Sequence, residues 1–397
     1  MTWPTVKLGD VCEISRGGSP RPIQNYITED VDGLNWIKIG DVNEGEKYIT
    51  KTAEKIKPSG LSHTRQIKAG DFLLSNSMSF GRPYISKIDG CIHDGWLMLR
   101  DVKNNFSQDY LYHMLTSVTV KDQFIKYATG AVVKNLNKEV VSKVIVPLPP
   151  LAEQQRIAAI LDKVEEIKCK REQGIKKLDE LAQSSFVDMF GDPVKNNKKW
   201  PVANLVDQVF KLGSGSTPTG GDASYKDAGI SLIRSLNVHD GEFSYKNLAF
   251  IDDVQAAKLA NVVVEKDDVL LNITGASVAR VCRVPPSVLP ARVNQHVMII
   301  RPKSTLNPIF LERLLLSVQM KKKLLQIGGA GATREAITKA HAERLEIIMP
   351  PIDLQNKFAN FIYKHDELKW EVLHCLNKIN HLSKSLQNQA FTTGFNA

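Results

Sequence analysis

The segment Val146-Pro147-Leu148-Pro149-Pro150-Leu151-Ala152-Glu153-Gln154 returns 201 positions later as Ile347-Ile348-Met349-Pro350-Pro351-Ile352-Asp353-Leu354-Gln355. Each copy changes its apolar period at the double proline. A proline lacks the N–H and the ring space needed to continue a helix from upstream, so Pro149-Pro150 and Pro350-Pro351 set two helix starts. Downstream of the first, Ile157, Leu161, Val164, Lys168, Arg171, Ile175, Leu178, Ala182 and Ser185 follow a 4-3-4-3 spacing, flanked by Ile160, Ile167 and Leu181. The second continues through Phe358, Ile362, His365, Leu368, Val372, Leu376, Ile379, Leu382 and Leu386. Such spacing keeps one seam on one helix face. A helix of about 35 residues is roughly 50 Å long at ~1.5 Å per residue. That is more than one small domain covers, so the two seams are expected to face each other as an antiparallel coiled coil.

Upstream of the prolines the duplication continues in order. Trp3-Pro4 returns as Trp200-Pro201, and the glycine turn Arg16-Gly17-Gly18-Ser19-Pro20 returns as Ser214-Gly215-Ser216-Thr217-Pro218. Trp36 to Val42 parallels Leu232 to Val238, Gly70-Asp71-Phe72-Leu73-Leu74-Ser75 matches Asp267 to Asn272, and Gly81-Arg82 falls opposite Ala279-Arg280. Leu97 to Arg100 pairs with Met298 to Arg301. An ordered series of this kind marks an internal repeat, which has to be found before any fold is assigned. Asp71–Ser75, Trp96–Leu99, Val269–Ile273 and Val297–Ile300 read as strands between Gly, Pro, Asn and Ser turns; Asp109–Thr119 and Asn307–Leu325 read as helices. The expected fold is α+β: two similar globular domains and two long helices.

The chain has 397 residues, 52 Lys+Arg against 43 Asp+Glu, and a formal charge of +9. At ~150 residues per domain, that length predicts two or three domains. With 43% hydrophobic and 24% charged residues, the composition is that of a globular protein and excludes a disordered or collagen-like chain. No apolar run reaches the ~18 residues that cross a bilayer, and Met1-Thr2-Trp3-Pro4 does not open a signal peptide, so a cytoplasmic location is expected. Cys12, Cys91, Cys169, Cys282 and Cys375 are odd in number and lack a Cys-x-x-Cys pair, which argues against a disulfide framework or a thiolate zinc site. The phosphate-cradling loop does not occur; the nearest spacing, Gly40 to Gly45, is followed by Glu46. Nucleophile-elbow, H-E-x-x-H and kinase signatures are missing too. The histidines do not repeat: His93 falls opposite Asn294, and His296 opposite Gly95. The residues nominate no catalytic group and no metal site.

The chain resembles the specificity subunit of type I restriction-modification enzymes. Trp3 to Pro20, with Lys7-Leu8-Gly9-Asp10-Val11 at its centre, looks like the start of that family's target-recognition domain. Ile92-His93-Asp94-Gly95-Trp96, Thr274-Gly275-Ala276-Ser277 and Asn294-Gln295-His296-Val297 are similar to its later motifs. Pro149 to Ile157 is like the proline-leucine-glutamate-glutamine start of its conserved helix; the second copy has Leu354-Gln355 for Glu153-Gln154, so only the glutamine is shared.

The resemblance implies a target-recognition domain over residues 1–150, a central spacer helix over 151–194, a second recognition domain over 195–350 and a C-terminal spacer helix over 351–397. Each domain would read one half of a bipartite duplex target, and the helices would set the spacer. The chain itself would be non-catalytic and would dock two methyltransferase (modification) subunits, and in the full complex restriction-translocase subunits. Glu153, Gln154 and Gln355 are the docking candidates. S-adenosylmethionine, ATP and magnesium would belong to the partners.

In such a reader Lys and Arg hold phosphates, while polar side chains on groove-facing loops choose bases. The candidates in the first domain are Arg16, Ser19 and Arg21; Ser75, Asn76, Ser77, Ser79 and Arg82; and Lys134. In the second they are Ser214, Ser216 and Thr217; Asn272, Thr274, Ser277 and Arg280; and Arg334. Lys195 to Lys199 and Lys321-Lys322-Lys323 are basic runs that could equally be solvated faces. Two other readings stay open at this level: an enzyme with an unrecognised nuclease or methyltransferase centre, and a coiled-coil scaffold that does not bind DNA.

Overall fold

Trp3 and Trp200, the matching tryptophans, each donate the indole N–H to a carbonyl near the end of a long helix: Trp3 to Ala390 at 3.1 Å and Trp200 to Phe190 at 3.0 Å. Each repeat thus starts against the end of one helix. The computed structural model describes residues 3–43, 45–76, 81–128, 135–217, 221–329 and 336–392. Its two compact units are Met1–Glu172 with His374–Ala397, and Gln173–Leu373. They do not follow the limits expected at 150, 194 and 350, because both long helices, Leu151–Phe190 and Ile352–Thr392, begin in one unit and end in the other.

In the first unit Thr5–Lys7 pairs antiparallel with Ile145–Pro147 and ties the two ends of the domain together. One sheet has the order Glu13–Arg16, Trp96–Arg100, Phe72–Ser75, Pro83–Ser86, Tyr48–Ile49; the other runs Ile27–Thr28, Glu54–Ile56, Leu34–Ile37, Gly90–Ile92, Arg65–Ile67. The second unit repeats the plan. Val202–Asn204 pairs with Glu346–Ile348; one sheet runs Val209–Ser214, Val297–Pro302, Val269–Asn272, Val281–Arg283, and the other Ala249–Ile251, Ile230–Ile233, Ala291–Val293, Val263–Val264. The registers agree: Trp96 lies opposite Ser75 and Val297 opposite Asn272. Phe72–Ser75 and Val269–Asn272 are buried throughout, which is why these strands read as unbroken apolar runs.

An ion pair between a buried aspartate and a part-buried arginine lies in each central sheet. Arg100 Nε donates to Asp71 Oδ1 at 2.7 Å and Arg301 Nε to Asp268 Oδ1 at 2.8 Å, while each aspartate accepts a backbone N–H three residues upstream. The partnered carboxylates are thereby satisfied inside the fold.

The helix expected over Asn307–Leu325 is two helices, Pro308–Leu316 and Val318–Gly329, and its counterpart is also two, Gln108–Thr116 and Val118–Ala128. Ser117 and Ser317 cause the break. Each is extended, and its Oγ accepts from a backbone N–H three residues on, starting the next helix.

The long helices span 40 and 41 residues, but their seams are buried mainly at the ends. Ile157, Ala158 and Leu161 join Ala390 and Phe391 in the core of the first domain. Ala182, Phe186 and Phe190 join Phe358, Ala359 and Ile362 in the core of the second. Within each unit, therefore, the start of one helix packs beside the end of the other, which is the antiparallel order. Phe186, Phe190, Phe310 and Phe358 have ring centroids 4.7 to 5.9 Å apart, and each buried ring contributes about 1.5–3 kcal/mol of transfer free energy. Leu368 and Leu382, assigned to the seam from their spacing, and Leu181, assigned to its flank, are exposed instead. Cys12, Cys91 and Cys282 are buried; burial raises the Cys12 thiol pKa to about 12 and that of Cys91 to about 11. Cys169 is exposed and Cys375 half-buried.

Candidate nucleic-acid interface

Three chain segments meet at one end of the main sheet in each domain. The first is the glycine turn after the opening strand. Gly17 N–H donates to Trp96 O at 2.9 Å and Gly18 N–H to Ile92 O at 3.1 Å; Gly215 N–H donates to Asn294 O at 3.1 Å. A Cβ on Gly17 would lie 2.2 Å from His93 O, and one on Gly215 1.8 Å from Val293 O. No side chain fits either place, so the glycines permit a close backbone approach.

The second segment is the turn that glycine reaches, His93-Asp94-Gly95 or Asn294-Gln295-His296. Parallel pairing of Ile92 with Ile37 and of Val293 with Ile233 sets the two turns in the same register. His93 N–H donates to Ile37 O and Asn294 N–H to Ile233 O, both at 3.1 Å. The third segment leaves the central strand: Asn76 N–H donates to Gly95 O and Ile273 N–H to His296 O, both at 3.0 Å. The second and third segments are therefore built twice with matching bonds, whereas the glycine turns differ, Gly17 N–H reaching Trp96 O and Gly215 N–H reaching Asn294 O.

The side chains on that frame differ. In the first domain Asp94 is the hub. Its Oδ1 accepts from Ser19 Oγ at 2.9 Å and lies 2.9 Å from His93 Nε2, its Oδ2 lies 3.8 Å from Arg21 Nη2, and its carbonyl accepts from Arg16 Nε at 3.1 Å and Asn76 Nδ2 at 2.7 Å. An open cleft of about 760 Å³ beside it is lined by Arg21, Trp36, Lys38 and Glu54, among others. In the second domain the polar groups form a chain. Thr274 Oγ1 bonds His296 Nδ1 at 2.6 Å, Gln295 Nε2 lies 3.2 Å from His296 Nε2, and Gln295 Oε1 accepts from Thr217 Oγ1.

The structure thus brings Arg16, Ser19, Arg21 and Asn76 together around one residue, and places Thr217 and Thr274 on the neighbouring Gln295 and His296. Ser214 and Ser216 lie on the same turn as Thr217, with Ser216 exposed. Ser277 and Arg280 belong to the neighbouring turn, where Arg280 N–H donates to Ser277 O at 3.2 Å and its Nη1 lies 3.5 Å from His239 Nδ1. Ser75, Asn76 and Asn272 differ from expectation because they are buried. Ser75 Oγ accepts from Arg82 N–H at 3.1 Å, and Asn272 Nδ2 donates to Ser235 O at 2.8 Å, so these side chains shape the turns from inside. Arg82 is half-buried beside Ser75. Ser77, Ser79, Lys134 and Arg334 lie outside the described residues. Asp94, Gln295 and His296 also face this site and were not among the sequence candidates; the signal for the first two is that they match at one repeat position with different side chains.

The glutamines proposed for docking do something else. Gln154 is 1% exposed: its Oε1 accepts from Ser107 N–H at 2.8 Å and its Nε2 donates to Asn105 O and Pro149 O, both at 2.9 Å. Gln355, 0% exposed, makes the same set with Asn307 N–H at 2.9 Å, Thr305 O at 3.3 Å and Pro350 O at 2.8 Å. Both amides clamp a long helix to the helix start of their own domain and have no face left for a partner. Glu153 remains part-exposed, paired with Arg156 at 3.1 Å. Of the basic runs, Lys198 caps the first long helix at Met189 O at 3.3 Å, and Lys321 pairs with Asp240.

Among the described residues no group of three or more His, Cys, Asp and Glu is placed to hold a metal ion, and no helix is long and apolar enough to cross a membrane. The family profile described as "Type I restriction modification DNA specificity domain" matches residues 1–180. The type I restriction enzyme EcoBI specificity subunit of Escherichia coli is 26% identical over 423 residues, covering 98% of this chain and 85% of its own length. The MjaIX specificity subunit of Methanocaldococcus jannaschii is 24% identical over 388 residues, covering 91% of this chain and 86% of its own. Two solved structures share the fold. One is a chain from the complex assembly and conformational transition of the type I R-M system, with a TM-score of 0.63, 17% identity, and coverage of 99% of this chain and 98% of that one. The other is the S subunit from M. genitalium, with a TM-score of 0.59, 12% identity, and coverage of 98% and 96%. Residues 1–180 thus match the type I restriction modification DNA specificity domain, and the chain as a whole is similar to specificity subunits of type I restriction enzymes and shares the fold of solved type I R-M subunits.

Proposed function

We propose that this chain gives a type I restriction-modification complex its DNA sequence specificity, each unit reading one half of a bipartite target. The observation that carries the proposal is the doubled turn with unlike side chains: Asp94 in one domain and Gln295 in the other, held by matching backbone bonds and each accepting the hydroxyl of its own glycine turn, Ser19 or Thr217. Two identical readers would need no such difference. A scaffold would have no reason to collect hydroxyl, amide, carboxylate and guanidinium groups at the end of each sheet. Arg16, Arg21 and Arg280 supply phosphate contact and register, and the polar turn residues supply choice of base.

The partners are double-stranded DNA, two modification subunits and, in the full complex, restriction-translocase subunits. The chain contributes binding and no chemistry; S-adenosylmethionine, ATP and magnesium are held by the partners. Docking falls to the long helices away from the buried glutamines, where Leu181 and Val187 on the first and Tyr363, Leu368 and Leu382 on the second are exposed apolar side chains. Glu153 is the one docking candidate from the sequence that keeps an accessible face.

The test is adenine-methylation mapping with the chain and its modification subunit expressed in a host free of adenine methylation. A gapped, asymmetric motif is expected. Purified chain alone, given S-adenosylmethionine or magnesium, is expected neither to methylate nor to cleave DNA; either activity would identify an enzyme instead.

A further inference from the structure

We propose that Asp94 and Gln295 occupy one equivalent position of the two domains and choose a base in each half-site. Asp94 takes a base that presents an exocyclic amine in the major groove, and Gln295 takes adenine. The inference rests on the reading of the units as DNA readers and names the residues that make them read differently.

The equivalence comes from register. Ile92 and Val293 pair in parallel with Ile37 and Ile233, and the residues two positions on, Asp94 and Gln295, each accept the hydroxyl of the matching glycine-turn residue, Ser19 or Thr217. The hydroxyl fixes one oxygen of each side chain, so the rotamer is set before any ligand arrives. The remaining groups lie on the accessible side. The Asp94 side chain is 34% exposed, and its Oδ2 has Arg21, itself 82% exposed, at 3.8 Å. Gln295 is exposed, with its amide nitrogen steered by His296, which Thr274 holds in turn.

Charge separates base reading from backbone reading at this turn. A carboxylate repels phosphate, so its presence between Arg16 and Arg21 weakens nonspecific attraction. What it offers a duplex is acceptor capacity alone. Only cytosine N4 and adenine N6 donate in the major groove, whereas guanine and thymine present acceptors there and are rejected. A glutamine carries both acceptor and donor, the pair that matches adenine N6 and N7. If Asp94 served only to aim the arginines, its loss would weaken every sequence alike.

The experiment uses the full chain co-expressed with its modification subunit, with methylated motifs read genome-wide by long-read sequencing. Asp94→Asn and Asp94→Ser are expected to alter one base position in one half-site by about 10-fold or more in preference, with Asp94→Asn admitting guanine or thymine. Gln295→Glu is expected to shift one position of the other half-site from adenine toward cytosine. The opposite half-site and the gap stay as in the parent, which shows that each variant is folded. An unchanged motif, a uniform fall in methylation without a change of motif, or loss of all methylation in both Asp94 substitutions overturns the proposal. If the parent chain itself yields no bipartite motif, it is the reading of the units as DNA readers that fails.

Discussion

Gln154 and Gln355 show how one residue can carry a repeat. Each satisfies a helix-start N–H and two carbonyls that would otherwise be buried without partners. Leaving such a group unpaired costs about 1–3 kcal/mol, so Gln154→Ala and Gln355→Ala are each expected to lower stability by roughly that amount or more in urea denaturation. A change below about 0.5 kcal/mol would mean the clamp is unimportant. Their constancy in the sequence was visible, but its reason was not, because the bonds reach backbone almost fifty residues away. The same holds for Asp268, whose carboxylate is enclosed beside Arg301. Asp268→Ala removes two acceptors from the part-buried Arg301, which keeps Glu265 and Val263 O, and leaves the Glu265 N–H without its carboxylate partner; a loss of about 1–3 kcal/mol is expected, read as a lowered unfolding midpoint. Gly17 and Gly215 make the sharpest steric case. Alanine at either would drive a methyl group into a carbonyl oxygen, so Gly17→Ala is expected to change methylation at one half-site while the other persists.

At the scale of elements, the double prolines and 4-3-4-3 spacing made the two long helices legible, and the glycine turns made the strand ends legible. The serine breaks were not, since Ser117 and Ser317 look like ordinary polar positions until their hydroxyls are seen to cap the next helix. Nor could spacing separate the seam from the exposed Leu181, Leu368 and Leu382: aromatic packing at the helix ends decides which face is covered. The helix Gln108–Thr116 also fastens the first domain to its long helix through His113, whose Nε2 lies 2.8 Å from Asp162 Oδ1, with Lys47 bridging Asp109 and Asp162. Burial lowers the His113 pKa below its usual 6.5 and outweighs the opposing hydrogen bond that His113 makes to the Asp162 carboxylate. The unfolded chain therefore binds a proton that the folded chain resists. This contribution to stability is present above pH 6.5 and is lost as pH falls below it. Between pH 7 and pH 5 the first unit is expected to destabilise, and His113→Gln to flatten that slope; an identical slope would contradict the assignment.

At the scale of the molecule, a formal charge of +9 spread over 397 residues is modest for a DNA reader, and the doubled frame explains how so little is enough. On the proposed function, affinity would be shared with subunits that hold the same duplex, and this chain's task would be discrimination. Deleting four residues between Lys163 and Ile175 shortens a helix by about 6 Å and turns it by about 40°, so the gap in the methylated motif is expected to change while both half-sites persist. The most direct test of the central claim is to replace residues 1–150 with the matching domain of another specificity subunit and map methylated adenines. The account predicts a motif in which one half is new and the other half is unchanged. A motif altered in both halves, or one continuous site without a gap, would contradict it.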